Sequence, residues 1–202
     1  MKQITRYIIS GVIVTILLFT GMGCKKQYQL QQQLAEKVLR FHVLANSDSV
    51  EDQNLKLRVR DAVGGFMQEK TQNLNSKSAC EKLVMEQIPE IETVAEQVIA
   101  ESGYDYEVHA ELTKCKFPTK TYGNYTFPKG TYDALKLTIG EGRGQNWWCV
   151  MYPNMCFENS MYEVVNEEAK ENLRAVLDED EYQAVLNSGS YEVRFWLFEI
   201  FR

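Results

Sequence analysis

Tyr104 to Leu112 alternates strictly. Tyr104, Tyr106, Val108, Ala110 and Leu112 face one way, and Asp105, Glu107, His109 and Glu111 face the other. A period of two belongs to a β-strand with one face in a core and one in water. The segment just before it keeps a different period: from Ser78 to Glu101, Cys80, Val84, Ile88, Ile91, Ala95 and Val98 recur at helical spacing. Gly103 is a natural stop for that helix. A long amphipathic helix that feeds directly into a half-buried strand must lay helices on a sheet.

The remaining segments extend that plan. Leu39–Ala45 reads as a strand with Phe41 and Val43 on one face. Ser49 and Asp52 stand three residues apart, as in a capping box with Asp in place of Glu or Gln. They open a helix whose inner face carries Leu55, Val59, Ala62, Val63 and Phe66, with Asp52 and Lys56 as an i, i+4 pair on its outer side. Gly64 and Gly65 late in that helix cost about 1 kcal/mol each unless close packing requires them. Pro89 is expected to kink the second helix or divide it in two. The turn Phe127-Pro128-Lys129-Gly130 joins segments 115–127 and 131–139 into a hairpin. Gly140–Gly144 reads as a flexible loop before Trp147–Trp148, whose side chains must point to opposite faces of a strand, one in and one out. Asn166–Leu177 is an acidic helix, Glu181–Leu186 a shorter one, Ser188–Gly189 a turn and Tyr191–Phe201 a closing aromatic strand. The reading is α+β: one domain over residues 39–202, with an antiparallel sheet and several packed helices. Residues 25–38 precede it as a tether and short helix. With 45% hydrophobic and 25% charged residues, disordered, collagen-like and polytopic membrane classes are excluded.

Residues 1–24 read as a signal peptide or membrane anchor. Lys2 and Arg6 lead an apolar run from Tyr7, followed by small residues up to Cys24. Gly21-Met22-Gly23-Cys24 loosely resembles a lipobox, with Gly21 where an aliphatic residue is usual, so Cys24 is a candidate for lipidation. The domain is therefore expected outside the cytoplasm. In that compartment Cys149 and Cys156 are a candidate disulfide across one short loop, the alternative being two buried free thiols. The pairing of Cys80 with Cys115 stays open. The formal net charge of −6 disfavours nucleic acid as a partner, and a membrane is expected to be met only through the N-terminal segment or a lipid.

No nucleophile elbow, zinc-protease helix or phosphate loop is present. The two histidines, His42 and His109, read as strand residues with ordinary hydrogen bonds. Gly140-x-Gly142-x-Gly144 lacks the Lys-Ser/Thr that a phosphate loop needs. Asp48, Asp52 and Asp61 are better explained by a helix start than by a cation. No catalytic, metal or cofactor residues are assigned, and a binding role remains.

Two blocks carry a resemblance. The first is Arg40-Phe41-His42-Val43-Leu44-Ala45-Asn46-Ser47-Asp48, with Asp52-Gln53 and Leu55 to Val63 behind it. The second opens at Thr121-Tyr122-Gly123 and Pro128-x-Gly130-x-Tyr132-x-Ala134-Leu135. It continues through Ile139-Gly140-x-Gly142-x-Gly144-x-Asn146-Trp147-Trp148-Cys149-Val150 to Cys156-Phe157. The chain resembles the stage II sporulation protein R family of endospore-forming bacteria. The resemblance implies an exported signalling protein, made in the forespore and sent into the intermembrane space at the septum. There it would activate a mother-cell membrane aspartic protease that processes pro-sigma-E to sigma-E. It implies no enzyme activity of its own and assigns no contact residues. The Asn46–Asp52 corner and the Trp147–Tyr152 segment supply the contact candidates Asn46, Asp48, Asp52, Trp147, Trp148 and Tyr152. Asn46 and Asp48 also fit a purely structural helix entry. The competing class is an exported lipoprotein with an enzymatic or wall-binding role, tested first at His42 and Cys149.

Overall fold

The computed structural model describes residues 28–155 and 167–187, with Tyr7, Gly11 and Thr15 of the leader. In chain order the elements are α1 (28–37), β1 (Leu39–Leu44), α2 (Val50–Thr71), α3 (Lys77–Glu101), β2 (Val108–Phe117), β3 (Lys120–Tyr122), β4 (Tyr125–Phe127), β5 (Gly130–Ile139), β6 (Asn146–Tyr152), α4 (Glu167–Val176) and α5 (Glu179–Asn187). Cys24, Cys156, Asn166, the Ser188–Gly189 turn and the strand expected at Tyr191–Phe201 lie outside the described residues.

The class is α+β as expected, but the sheet is mixed. Its order is β2–β5–β1–β6, with β1–β5 parallel and the other two pairings antiparallel. The reason is the route of the chain. Two helices carry it from β1 to the far edge, β2 turns back into β5, and β5 then runs beside β1 in the same direction. Helices α2 and α3 cover one face, where Phe41, Val43, Leu135 and Leu137 meet Leu55, Val59, Val63, Val84, Ile91 and Ala95 in one core.

Several local expectations change. Helix α3 runs unbroken through Pro89 and ends in a Schellman turn: Gly103 has φ 84°, its N–H donates to Ala100 O, and Tyr104 N–H donates to Ile99 O. Strand β2 begins at Val108, so Tyr104 to Glu107 keep the alternation without a ladder. The hairpin pairs 108–117 with 130–139, Phe117 opposite Gly130. Residues 118–129 form an excursion out of it, holding their own small hairpin, β3–β4, around Gly123 at φ 55°. The turn at 127–130 therefore closes the excursion. It does not join two long arms.

Strand β1 is buried on both faces. Arg40 and His42, the alternate residues to Phe41 and Val43, are buried with them, because the excursion folds back over the second face of the sheet. Helix α1 is packed as well. Leu34 and Val38 are fully buried, Gln31 Nε2 donates to Thr131 O at 2.8 Å, and Lys77 Nζ donates to Ala35 O at 2.7 Å.

Candidate functional site

Two clusters stand out, one at an end of the sheet and one on its second face. The first forms where β1 ends. Ser49 caps α2 by accepting from Asp52 N–H at 3.1 Å, as the capping pattern predicts. The Asp52 carboxylate, however, turns inward. Asn46 Nδ2 donates to it at 2.8 Å and Ser47 Oγ at 2.5 Å, and Tyr106 adds a further hydrogen bond. Burial pushes the Asp52 carboxyl up, but the donations from Ser47, Asn46, Tyr106 and Ser49 outweigh it and hold the group below its ordinary value. A carboxylate so supplied with donors is a structural anion, not an acid–base group.

Asp52 and Lys56 are not an outer-face ion pair. Both are buried, and Lys56 Nζ donates to Gln53 Oε1 at 2.6 Å and to Gln145 O at 3.0 Å. Nor is Gly140–Gly144 a flexible loop. Glu141 N–H donates to Asn46 Oδ1 at 3.0 Å, Arg143 N–H to Asn46 O at 3.1 Å and Gly144 N–H to Ala45 O at 2.9 Å. The glycines are required by this approach. Gly140 and Gly142 hold φ 54° and 60°, and a Cβ at Gly144 would collide with the Ser47 carbonyl. Asn46 thus ties loop, strand and helix start into one rigid corner, from which Asp48, Glu51 and Glu141 project exposed.

The second cluster is aromatic. Register places Lys136, His42 and Trp148 side by side on β5, β1 and β6. His42 stacks on Trp148 with ring centroids 3.9 Å apart, and its Nε2 bonds Asn146 Oδ1 at 2.7 Å. Burial pushes His42 down to about 4. The Asn146 bond opposes this and the Lys136 charge assists it, so the ring is neutral at pH 7. Arg40, one step along β1, is fully buried without a carboxylate. Its Nε donates to Cys149 O at 2.8 Å and its Nη2 to Tyr122 Oη at 2.9 Å. Phe117, Tyr132, Phe127 and Tyr122 surround the guanidinium, the nearest ring centroid 4.4 Å away. Such desolvated cation–π contacts are each worth up to about 2 kcal/mol, and they take the place of a counter-ion. Among the described residues, Arg40 Nη1 and His42 Nδ1 are buried without a hydrogen-bond partner.

The predicted contact residues are divided between these regions and the core. Trp147 packs on Phe41 with Arg60 5.0 Å over its ring, on the helical face. Trp148 lies on the opposite face, half-buried rather than out in solvent. Trp147, Tyr152 and Asp52 are buried, Asn46 is half-buried and Asp48 is exposed. Cys149 is cross-strand from Phe41 whereas His42 is cross-strand from Trp148. The two therefore point to opposite faces and form no dyad. Cys80 and Cys115 are free and buried, and burial pushes the Cys80 thiol up to about 12, far from a reactive thiolate. Among the described residues no group of three His, Cys, Asp or Glu side chains could hold a metal ion. None of their helices is long and apolar enough to cross a membrane. Sequence reasoning missed Arg40 and His42 as a buried pair. The signal it had was a cation and an imidazole alternating with apolar residues in a strand that turns out to be central.

The family profile described as stage II sporulation protein R matches residues 35–162, a span that holds β1 to β6 and both clusters. The chain is also similar to Stage II sporulation protein R of Bacillus subtilis (strain 168), 34% identical over 153 residues, which cover 72% of this chain and 68% of that protein. No solved structure matches.

Proposed function

This chain belongs to the stage II sporulation protein R family, and on that premise we propose that it is an exported sporulation signal that switches on a septal membrane protease. The leader carries the domain out of the forespore. In the intermembrane space the domain binds the mother-cell aspartic protease, which then converts pro-sigma-E to sigma-E. The observation that carries this reading is family membership over the whole sheet, joined to a leader of signal-peptide layout. The geometry of a ligand supports it: the Asn46 corner is held by at least five hydrogen bonds, so it presents Asp48, Glu51 and Glu141 on a preorganised edge at little entropic cost. The protein is a ligand with no reaction of its own, and a disulfide between the candidate pair Cys149 and Cys156 would fit the compartment.

The test is pro-sigma-E cleavage in a vegetative host that co-expresses the protease, with the full chain, with a chain lacking residues 1–24, and without either. Cleavage that needs the exported chain supports the proposal. In that host Asp48→Lys is expected to reduce cleavage at unchanged protein level. No cleavage in the presence of folded, exported protein overturns the activator role.

A further inference from the structure

We propose that β2 is a docking edge for a second copy of this chain, the two β2 strands pairing antiparallel about a two-fold axis at Leu112. Strand β2 is an outer strand of the sheet, and its ladder is with β5 alone. Glu107 O accepts from Gly140 N–H on the β5 side, whereas Ala110 N–H turns away and donates to Glu92 Oε1 of α3 at 2.8 Å. The two sides of an antiparallel strand alternate, so Val108, Leu112, Lys114 and Lys116 share the outward side with Ala110. Leu112, Lys114 and Lys116 present their N–H and C=O groups to no other strand among the described residues.

Lysines and charges set across an edge ordinarily discourage pairing, and Lys114, Lys116 and Glu92 fit that description. Here, however, the lysines occupy one half of the outward side and the carboxylate the other. A parallel partner in register, or an antiparallel one centred at Lys114, sets lysine against lysine, which is unfavourable. With Leu112 opposite Leu112, the outward residues match in full. Lys114 then lies opposite Ala110 and Lys116 opposite Val108, which brings Lys114 of one copy to Glu92 of the other.

The neighbouring charges leave this match intact. Lys77 holds both Glu81 and Asp133, and Glu111 is paired with Lys136. Asp133 also touches Lys114 at 2.8 Å, but that lysine is 71% exposed, and Lys77 still serves Asp133 when Lys114 turns to Glu92. At the receiving half, Glu92 is approached by His109 Nδ1 at 3.6 Å. Glu96, one turn past Glu92, and Glu107, just before the strand, are further exposed carboxylates there. Helix α3 adds an apolar strip. Met85 and Ile88 stand on the flank that carries Glu92, seven and four residues before it. Met85 is 54% exposed, and Ile88 and Leu112 are half-buried. Two-fold pairing sets this strip against its own copy, which accounts for the exposed methionine. On the activator reading above, such a dimer carries two Asn46 corners and is a bivalent ligand; the pairing itself does not depend on that role.

The experiment uses the full chain in neutral detergent micelles. Sedimentation equilibrium should show monomer and dimer in exchange. Lys114→Glu and Glu92→Lys should each weaken dimerisation roughly tenfold, because two symmetric pairs are lost, and the double variant should restore it. A merely structural role for either residue gives no such rescue. Mild oxidation of Leu112→Cys should cross-link the dimer, since opposed Cα atoms about 5.5 Å apart lie within disulfide reach. Lys116→Cys should not cross-link, because that position lies about 26 Å from its own copy. Cross-linking at both positions, a dimer indifferent to the charge variants, or a monomer at every concentration overturns the pairing, and the last assigns the edge to a strand of another protein. None of these results bears on cleavage of pro-sigma-E, so the activator role is decided separately.

Discussion

Lowering the pH from 7 to 4 should destabilise this domain through His42, and the size of the effect follows from the site. The ring is 6% exposed, stacked on Trp148 and next to the Lys136 charge, and its pKa falls from 6.5 to about 4. In the unfolded chain His42 takes up a proton as the pH drops through 6.5, whereas in the folded protein it resists until about 4. The unfolded state therefore binds more protons throughout that window. Stability is complete above 6.5, declines between 6.5 and 4, and is lost at lower pH by about 3 kcal/mol in total. The measurement is urea unfolding at steps from pH 7 to 4, on the protein and on His42→Phe, which keeps the stack on Trp148 and cannot titrate. The variant should lack about 3 kcal/mol of the loss that the parent shows over that range. Imidazole NMR gives the same quantity directly, since the chain has two histidines and His109→Gln removes the other signal. Equal pH slopes for parent and variant, or a His42 midpoint near 6.5, would refute the argument from burial.

The corner and the helices yield three more predictions. Gly65→Ala should raise stability by about 1 kcal/mol, because a Cβ there meets open space inside a helix, whereas Gly144→Ala should lower it by about 2 kcal/mol or more through collision with the Ser47 carbonyl; chemical unfolding of both variants checks the contrast. Asp52→Asn should cost about 2 kcal/mol at pH 7 by weakening the bonds from Asn46 and Ser47. Because the Asp52 carboxyl is held below its ordinary 3.8, its contribution is complete above that value and disappears as the pH falls through the folded pKa, so parent and variant should converge in acid unfolding. Peptide mapping without reductant should link Cys149 to Cys156 and find Cys80 and Cys115 unmodified by alkylating agents until the protein unfolds, and opening the short loop should cost about 2.5 kcal/mol in thermal unfolding.

Much of the fold was legible because its segments are locally consistent. Ser49 before a helical repeat, Gly103 after one, and alternation from Val108 all specify the elements they turn out to form. The errors lie where distant chain decides. Asp52 and Lys56 satisfy the helix-surface spacing for an ion pair, but distant chain separates them: Asn46, Ser47 and Tyr106 claim the Asp52 carboxylate, and the loop at 140–145 claims Lys56 through Gln145 O. Spacing along a helix says which residues share a face and cannot say which face another segment will cover. The glycines at 140, 142 and 144 suggested flexibility because glycine permits it. Here they permit close approach, and the hydrogen bonds that Asn46 makes across the gap come from a residue 94 positions earlier than Gly140.

The second face was missed through a single mistake with two consequences. Assigning 115–127 as a hairpin arm used up residues 118–127, which in fact leave the sheet and return over it. With that segment in the sheet, nothing is left to cover the second face of β1, where Arg40 and His42 alternate with Phe41 and Val43. With the segment folded back, Tyr122 and Phe127 close over Arg40, and Phe117 and Trp148 flank His42. The polar residues of β1 are then the ones that need an explanation. A strand with apolar residues on one side and a cation and an imidazole on the other is compatible with an edge or a centre. What separates the two is how many aromatic residues elsewhere in the chain lack a place. Tyr122, Phe127, Tyr132 and Trp148 exceed what the helical face of this sheet can hold, since that face is already filled by α2 and α3. The surplus requires a second buried face, and β1, paired on both sides, is where it must lie.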